Sequence, residues 1–252
     1  MANNWTREQL IITFNLYCKI PFSKSVKTNP EVIKTANLIG RTPSAVAFKL
    51  GNFGSFDPEL KKRGIGGLPN TSRLDKEIWD EFNNNWEELA FQSEFLIANL
   101  EEKPIEETFD FDLTKFPVGR DKERIVKTRV NQSFFRSAIL GLYNLKCCIT
   151  GLNIPELLVA SHIKPWKDDL ENRTNPQNGL CFNALHDKAF DKGFITVTTD
   201  YKIKTSKYFN QFDSKINEEF FLKYENFTIT LPEKFLPKKE FLEYHYEEVF
   251  KK

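Results

Sequence analysis

The chain has 252 residues, 40% of them hydrophobic, with 36 Lys and Arg against 35 Asp and Glu for a formal charge of +1. That apolar content excludes a disordered chain, and the length fits one large or two ordinary cores. No stretch approaches the roughly 18 uncharged apolar residues of a membrane span, and MANNWTREQL lacks the apolar block of a signal peptide, so a cytoplasmic protein without a membrane partner is expected.

The near-neutral total conceals a segregated charge. Residues 1–63 carry 10 basic and 4 acidic side chains, residues 64–114 carry 3 and 13, and residues 115–252 carry 23 and 18. The net charges are therefore +6, −10 and +5. Two basic modules could face one polyanion while an acidic connector is repelled from it; the alternative is an acidic solvated helix between two ordinary domains.

In chain order, Asn4 or Thr6 can cap a helix from Arg7 to about Lys19, with Leu10, Ile11, Phe14, Tyr17 and Cys18 at helical spacing. A second helix starts at Asn29-Pro30 and stops at Gly40, and a third opens at Thr42-Pro43 and carries Val46, Ala47 and Leu50. WTREQL followed by Ala36 to Leu50 resembles the tri-helical DNA-binding repeats of the Myb and helix-turn-helix kind; a helical bundle used for dimerisation is the other option. The resemblance implies phosphate or base contacts from Arg41, Ser44 and Lys49, with Val46 and Leu50 as core. Residues 54–72 read as a long loop with a basic tip at Lys61, Lys62 and Arg63, and 74–100 as one long amphipathic acidic helix whose aromatics at 79, 82 and 86 face a core. The expected organisation is a helical module over 1–100, a linker over 101–122 and a second domain over 123–252.

Residues 115–146, with 8 basic and 2 acidic side chains, predict a basic helix that carries Lys127, Arg129 and Arg136 beside an apolar face of Phe135, Ile139, Leu142 and Tyr143. ELLVASHIKPW predicts a strand ending at His162, NGLCFNALHDKAFDKG a strand turning into a short helix, and FITVTTD with YKIKTS a hairpin. Cys18, Cys147, Cys148 and Cys181 form no CxxC pair, so neither a disulfide framework nor a structural zinc site is expected. His245, in a C-terminal amphipathic helix, is expected at the surface or in packing.

Two of the three histidines lie between 162 and 186, with Asn178 between them. A base to activate water, a cation to neutralise charge and a group to orient the base are the needs of phosphodiester hydrolysis. Gln132 to Leu152, then ASHIKPW, NGL, LHDKAFDKG and EFLEYHYEEVF resemble the HNH nucleases, in particular a branch of predicted restriction endonucleases. The resemblance covers the second half of the chain. It implies a ββα-metal fold there; together with the helix-turn-helix-like resemblance of the N-terminal helices, the expected fold class is α+β, an N-terminal all-α helix-turn-helix-like domain and a C-terminal ββα-metal HNH domain. Carried onto this chain, His162 is the general base, Asn178 lies at the metal or orients the base, and His186 is a metal ligand. The metal would be Mg²⁺ or Mn²⁺.

Many HNH proteins place Asp or His before the base, where this chain has Ser161. The metal then rests on Asn178, His186 and waters, or an acid such as Asp191 or Asp187 completes its shell; Asp191 can instead lock the following turn. Lys164, Lys167, Arg173, Lys188 and Lys192 flank the motif as candidate phosphate contacts. The expected substrate is double-stranded DNA, with no nucleotide cofactor evident. A double-strand cut calls for a homodimer or two sequential nicks, and a monomer that only nicks is equally compatible. The alternatives are a DNA-binding regulator with a degenerate nuclease fold and a nonspecific nuclease.

Overall fold

The computed structural model describes residues 4–105, 120–212 and 215–252. The backbone separates into two compact units, Met1–Ala138 and Ile139–Lys252. The first is helical and the second mixes short helices with two small antiparallel sheets, so the chain is α+β.

In the first unit, α1 (Arg7–Lys19) is the central element, packed against α2 (Pro30–Leu38), α3 (Pro43–Gly54), α5 (Arg73–Phe82) and α6 (Trp86–Leu100). Thr6 and Gln9 close a capping box at its start, and Leu10 through Cys18 are all buried. Gly40, at φ +66°, ends α2 in the left-handed region, and Thr42 caps α3, so a tight turn joins the two helices. Phe14 is the hub of an aromatic cluster, 4.9 Å from the Phe53 ring and 5.5 Å from Trp79.

Three local features differ from the sequence-based expectation. The segment 54–72 is not all loop, because Asp57 caps a short α4 (Pro58–Lys62) and accepts a 2.9 Å hydrogen bond from the buried Tyr17 hydroxyl. The single helix expected over 74–100 is two helices, α5 and α6, broken at Asn83-Asn84-Asn85, where Asn84 adopts φ +76°. Phe82 and Trp86 are both buried, so the apolar spacing runs unbroken across the break and hides it. Lys49 is not a surface cation: it is buried, with Nζ 2.8 Å from both carboxylate oxygens of Asp75. Asp75 also accepts from Asn52 Nδ2 and the Ser72 amide, so its carboxylate is saturated with donors.

The basic helix α7 (Arg120–Leu142) spans the division between units, and Val130, Phe134, Phe135 and Ala138 bury its apolar face. Most of the linker expected over 101–122 lies outside the described residues.

In the second unit, β1 (Leu158–His162) pairs antiparallel with β2 (Gly179–Asn183), in the register Ser161 to Leu180 and His162 to Gly179. Asn183 ends β2 and caps α8 (Ala184–Asp191) at once, so strand and helix join without a loop. The expected hairpin follows as β3 (Ile195–Val197) and β4 (Ile203–Thr205). After α9 (Lys215–Phe220), α10 (Lys239–Tyr244) runs into a π-helical turn at His245–Val249. All four cysteines are buried, and burial pushes the Cys148 thiol well up.

The C-terminal turn clamps onto α8. The His245 ring stacks on Phe190 at 3.5 Å, its Nε2 donates to the Phe190 carbonyl at 3.1 Å, and Nδ1 accepts from the Thr196 hydroxyl at 2.8 Å. Both contacts suit the neutral imidazole, and burial lowers its pKa from 6.5 to about 4. In the unfolded chain this histidine takes its proton near pH 6.5, so stability is fully present above that value and is lost as pH falls towards 4. The loss is expected to reach about 3 kcal/mol. Urea unfolding of wild type and His245→Gln at pH 7 and pH 4.5 checks this, and equal pH dependence in the two proteins refutes it.

Candidate active site

His162 ends β1, and the ladder continues one step beyond it as the Ile163 amide donates to the Asn178 carbonyl at 2.9 Å. The loop from 163 to 178 is then closed by the buried Asn178 side chain. Its Oδ1 accepts from the Lys164 amide at 2.8 Å, and Nδ2 donates to the carbonyls of Lys164 and Asn172 at 3.1 and 3.2 Å. Donor and acceptor are thus both used to hold backbone, and Asn178 ties the two arms of the loop.

The same loop fixes His162. Its Nε2 lies 2.8 Å from the Arg173 carbonyl, which can only accept, so the proton sits on Nε2 and the lone pair on Nδ1. Burial lowers the His162 pKa, the Arg173 carbonyl opposes that, and the nearby guanidinium lowers it further, so the imidazole is neutral at pH 7. The Trp166 ring meets His162 edge-on at 5.4 Å. Arg173 stacks its guanidinium on the other partner of that contact, 5.0 Å from the Trp166 ring, and donates Nε to the Trp166 carbonyl at 2.8 Å. Trp166 closes the ASHIKPW run, but its contact with His162 and the main-chain role of position 173 have no signal in the sequence.

His186 is turned elsewhere. It is buried in α8 with Nδ1 3.0 Å from Asn183 Oδ1 and Nε2 3.0 Å from the Phe220 carbonyl, and it makes ring contacts with Phe221 and Tyr224. It forms part of the wall of a cavity of about 430 Å³ lined by Leu152, Leu157 and Phe220. The structure therefore joins His162 and Asn178 in one hydrogen-bonded loop, while the polar contacts of His186 are to Asn183 and Phe220.

The next residue on α8, Asp187, faces β1. Burial raises its pKa, the Ser161 hydroxyl pulls it down, and Asp191 raises it again. Ser161 is 3% exposed, so the Asp187 carboxylate meets its hydroxyl in a nearly dry setting. Asp191, one helical turn on, is exposed and within the influence of Lys188 and Lys192. Among the described residues no three His, Cys, Asp or Glu side chains converge as a metal cluster. The Asp187 carboxylate is nevertheless a hard oxygen donor of the kind that suits Mg²⁺ or Mn²⁺, with waters filling the shell.

The candidate phosphate contacts divide by exposure. Lys127 and Arg129 are exposed on α7, where Lys127 makes a 3.5 Å ion pair with Glu87 and Arg129 a 3.2 Å hydrogen bond to Gln132. Arg136, Lys167 and Lys188 are also exposed, and Lys164 pairs with Asp169 at 3.3 Å. Arg41 is engaged inside the first unit by Gln9 Oε1 at 2.7 Å and the Asn4 carbonyl at 2.6 Å, with its guanidinium 4.9 Å from the Trp5 ring.

No curated protein matches the chain. The model of the HNH endonuclease family matches residues 147–198, from Cys147 through β1, β2 and α8 to β3. HNH nucleases generally use a divalent metal ion, and their substrate class is DNA. His162 and Asn178, held in one loop, lie inside the matched span, and the match of residues 147–198 to the HNH endonuclease domain supports a nuclease activity in general.

Proposed function

We propose that the chain is a metal-dependent endonuclease that hydrolyses phosphodiester bonds in duplex DNA, of the restriction type. The observation that carries this reading is the His162 imidazole, held through Nε2 by the Arg173 carbonyl so that Nδ1 bears the lone pair. Through Nδ1, His162 takes a proton from a water that attacks phosphorus in line, and the products carry 5′ phosphates. Asn178 keeps the loop, and with it the acceptor at Arg173, in register with β1. A divalent cation, Mg²⁺ or Mn²⁺, would neutralise charge on the phosphate and on the departing 3′ oxygen.

Duplex DNA is the favoured substrate because α2 and α3, joined by a tight turn, lie in a segment, residues 1–63, with a net charge of +6, and α7 adds exposed Lys127, Arg129 and Arg136. Lys164, Lys167, Arg173 and Lys188 are the corresponding phosphate contacts of the nuclease domain. Arg41 acts at this surface through a network with Gln9 and Trp5 that holds it in place.

Supercoiled plasmid incubated with the full chain and Mg²⁺, Mn²⁺ or EDTA tests the reading. Nicked or linear product is expected with metal and none with EDTA. Plasmid that stays supercoiled with every metal, while the chain still retards DNA on a gel, would instead identify a DNA-binding regulator.

A further inference from the structure

A second cavity, of about 270 Å³, opens beside α8 and is walled by Phe194, Tyr208, Phe209, Phe212 and Phe221. Phe209 and Phe221 stack on each other at 5.0 Å, and Phe209 is buried. Tyr208 and Phe212, from the helical turn after β4, are different: their rings lie 5.5 Å apart, and the two residues are 37% and 53% exposed. Neighbouring aromatic rings left open to water beside a cavity are the usual mark of a binding surface. The rim is basic. Lys188 and Lys192 stand exposed one turn apart at the end of α8, and among the described residues no carboxylate lines the cavity with them. Lys251 adds a third ammonium group, 4.3 Å from the Phe194 ring centre and 5.1 Å from that of Tyr208. Asp191, between the two lysines of α8 in the chain, offsets one of the three charges.

An apolar peptide or an acyl chain would cover the aromatic walls and leave the lysines unused, whereas a flat ring joined to phosphates uses both. We propose that this cavity receives one nucleobase of the DNA strand, unstacked from its neighbours and laid against Phe212 and Tyr208, while Lys188 and Lys192 take the phosphates on either side of it. Stacking on an aromatic side chain serves any base, because every base has a π face, and the lysines contribute attraction that is indifferent to sequence. This rests on the nuclease reading and adds to it a place where the enzyme holds one base out of the stack. The helix that carries the lysines packs on β1, the strand that ends at His162, so the base is held by the same small domain as the residue that activates water.

Two labelled single strands of equal length and charge, a thymidine oligonucleotide and an abasic one, binding to the full chain in EDTA and read by fluorescence anisotropy, test the cavity. Wild type is expected to hold the thymidine strand about fivefold to a hundredfold more tightly, the range for one stacked base. Phe212→Ala is expected to remove most of that preference and leave the abasic affinity unchanged, while Lys188→Ala combined with Lys192→Ala weakens both strands alike. Unfolding midpoints report whether each variant is folded, and Tyr208→Ala carries the test if Phe212→Ala is not. A preference that survives in the folded aromatic variants overturns the cavity, as does a wild type without preference. A dimer that Phe212→Ala dissociates, with the preference intact, assigns the aromatic face to a second copy of the chain and also overturns it. Metal-dependent cleavage of plasmid by the same wild-type preparation keeps the nuclease reading in each of these cases. A wild type that binds neither strand and cuts nothing loses both.

Discussion

Replacing His162 with Ala is expected to reduce plasmid cleavage by roughly 10²–10⁴-fold while DNA retention on a gel in EDTA stays near wild type. The expectation follows from the tautomer. The Arg173 carbonyl takes the Nε2 proton, so Nδ1 carries the lone pair at neutral pH, and burial keeps the ring uncharged. Alanine removes that lone pair without touching the Asn178 clamp, which consists of side-chain to main-chain bonds on the far side of the loop. Initial rates of nicking with saturating Mn²⁺ are the measurement. Comparable rates in variant and wild type would remove His162 from the chemistry, whereas loss of both cleavage and DNA retention would mean that the loop had collapsed.

The largest effect on stability is expected at Gly193, which follows α8. It adopts φ +71°, and a Cβ there would lie 2.1 Å from the Val249 carbonyl oxygen. Gly193→Ala thus combines left-handed backbone, about 1 kcal/mol for a residue with a side chain, with a clash against main chain that no rotamer change relieves. The Lys251 amide donates to the Gly193 carbonyl at 2.9 Å, so pushing Val249 away also strains that bond and the His245 stack on Phe190. A loss of at least about 3 kcal/mol is expected, read as a lower unfolding midpoint in calorimetry. An unchanged midpoint would mean that the C-terminal turn docks more loosely on α8 than its contacts indicate. Because α8 carries both His186 and Asp187, cleavage in Gly193→Ala should fall at temperatures where the variant is still mostly folded.

Much of the fold was legible because local chemistry and apolar spacing agreed. Thr6, Asn29-Pro30 and Thr42-Pro43 announce helix starts by capping, and each helix begins there. The strand, strand, helix order around His162, Asn178 and His186 is likewise carried by alternation and by an Asn that can both end a strand and cap a helix. The misses have a shared cause, which is that periodicity reports burial and not continuity or direction. Asn84 breaks a helix without disturbing the spacing of Phe82 and Trp86, and Asp57 nucleates α4 inside a segment whose Gly and Pro content reads as loop. At the site, the motif identifies a helix that carries His186 and Asp187 in succession, but the choice of which faces β1 depends on the rotation of α8. That rotation is set by the apolar contacts of Phe190 with Phe182 and His245, partners on β2 and at the far C-terminus. Lys49 illustrates the same limit, since its partner Asp75 is distant in sequence and only the folded chain shows the two to be paired.

The partner that orients His162 is main chain. An acceptor of this kind is present whatever amino acid occupies position 173, so point substitutions there cannot delete it. What delivers the carbonyl to the imidazole is the number of residues between the two arms that Asn178 ties. The base is therefore tuned by loop length. A one-residue insertion or deletion between 163 and 177, harmless in most surface loops, would detune this site more thoroughly than any single replacement of Arg173.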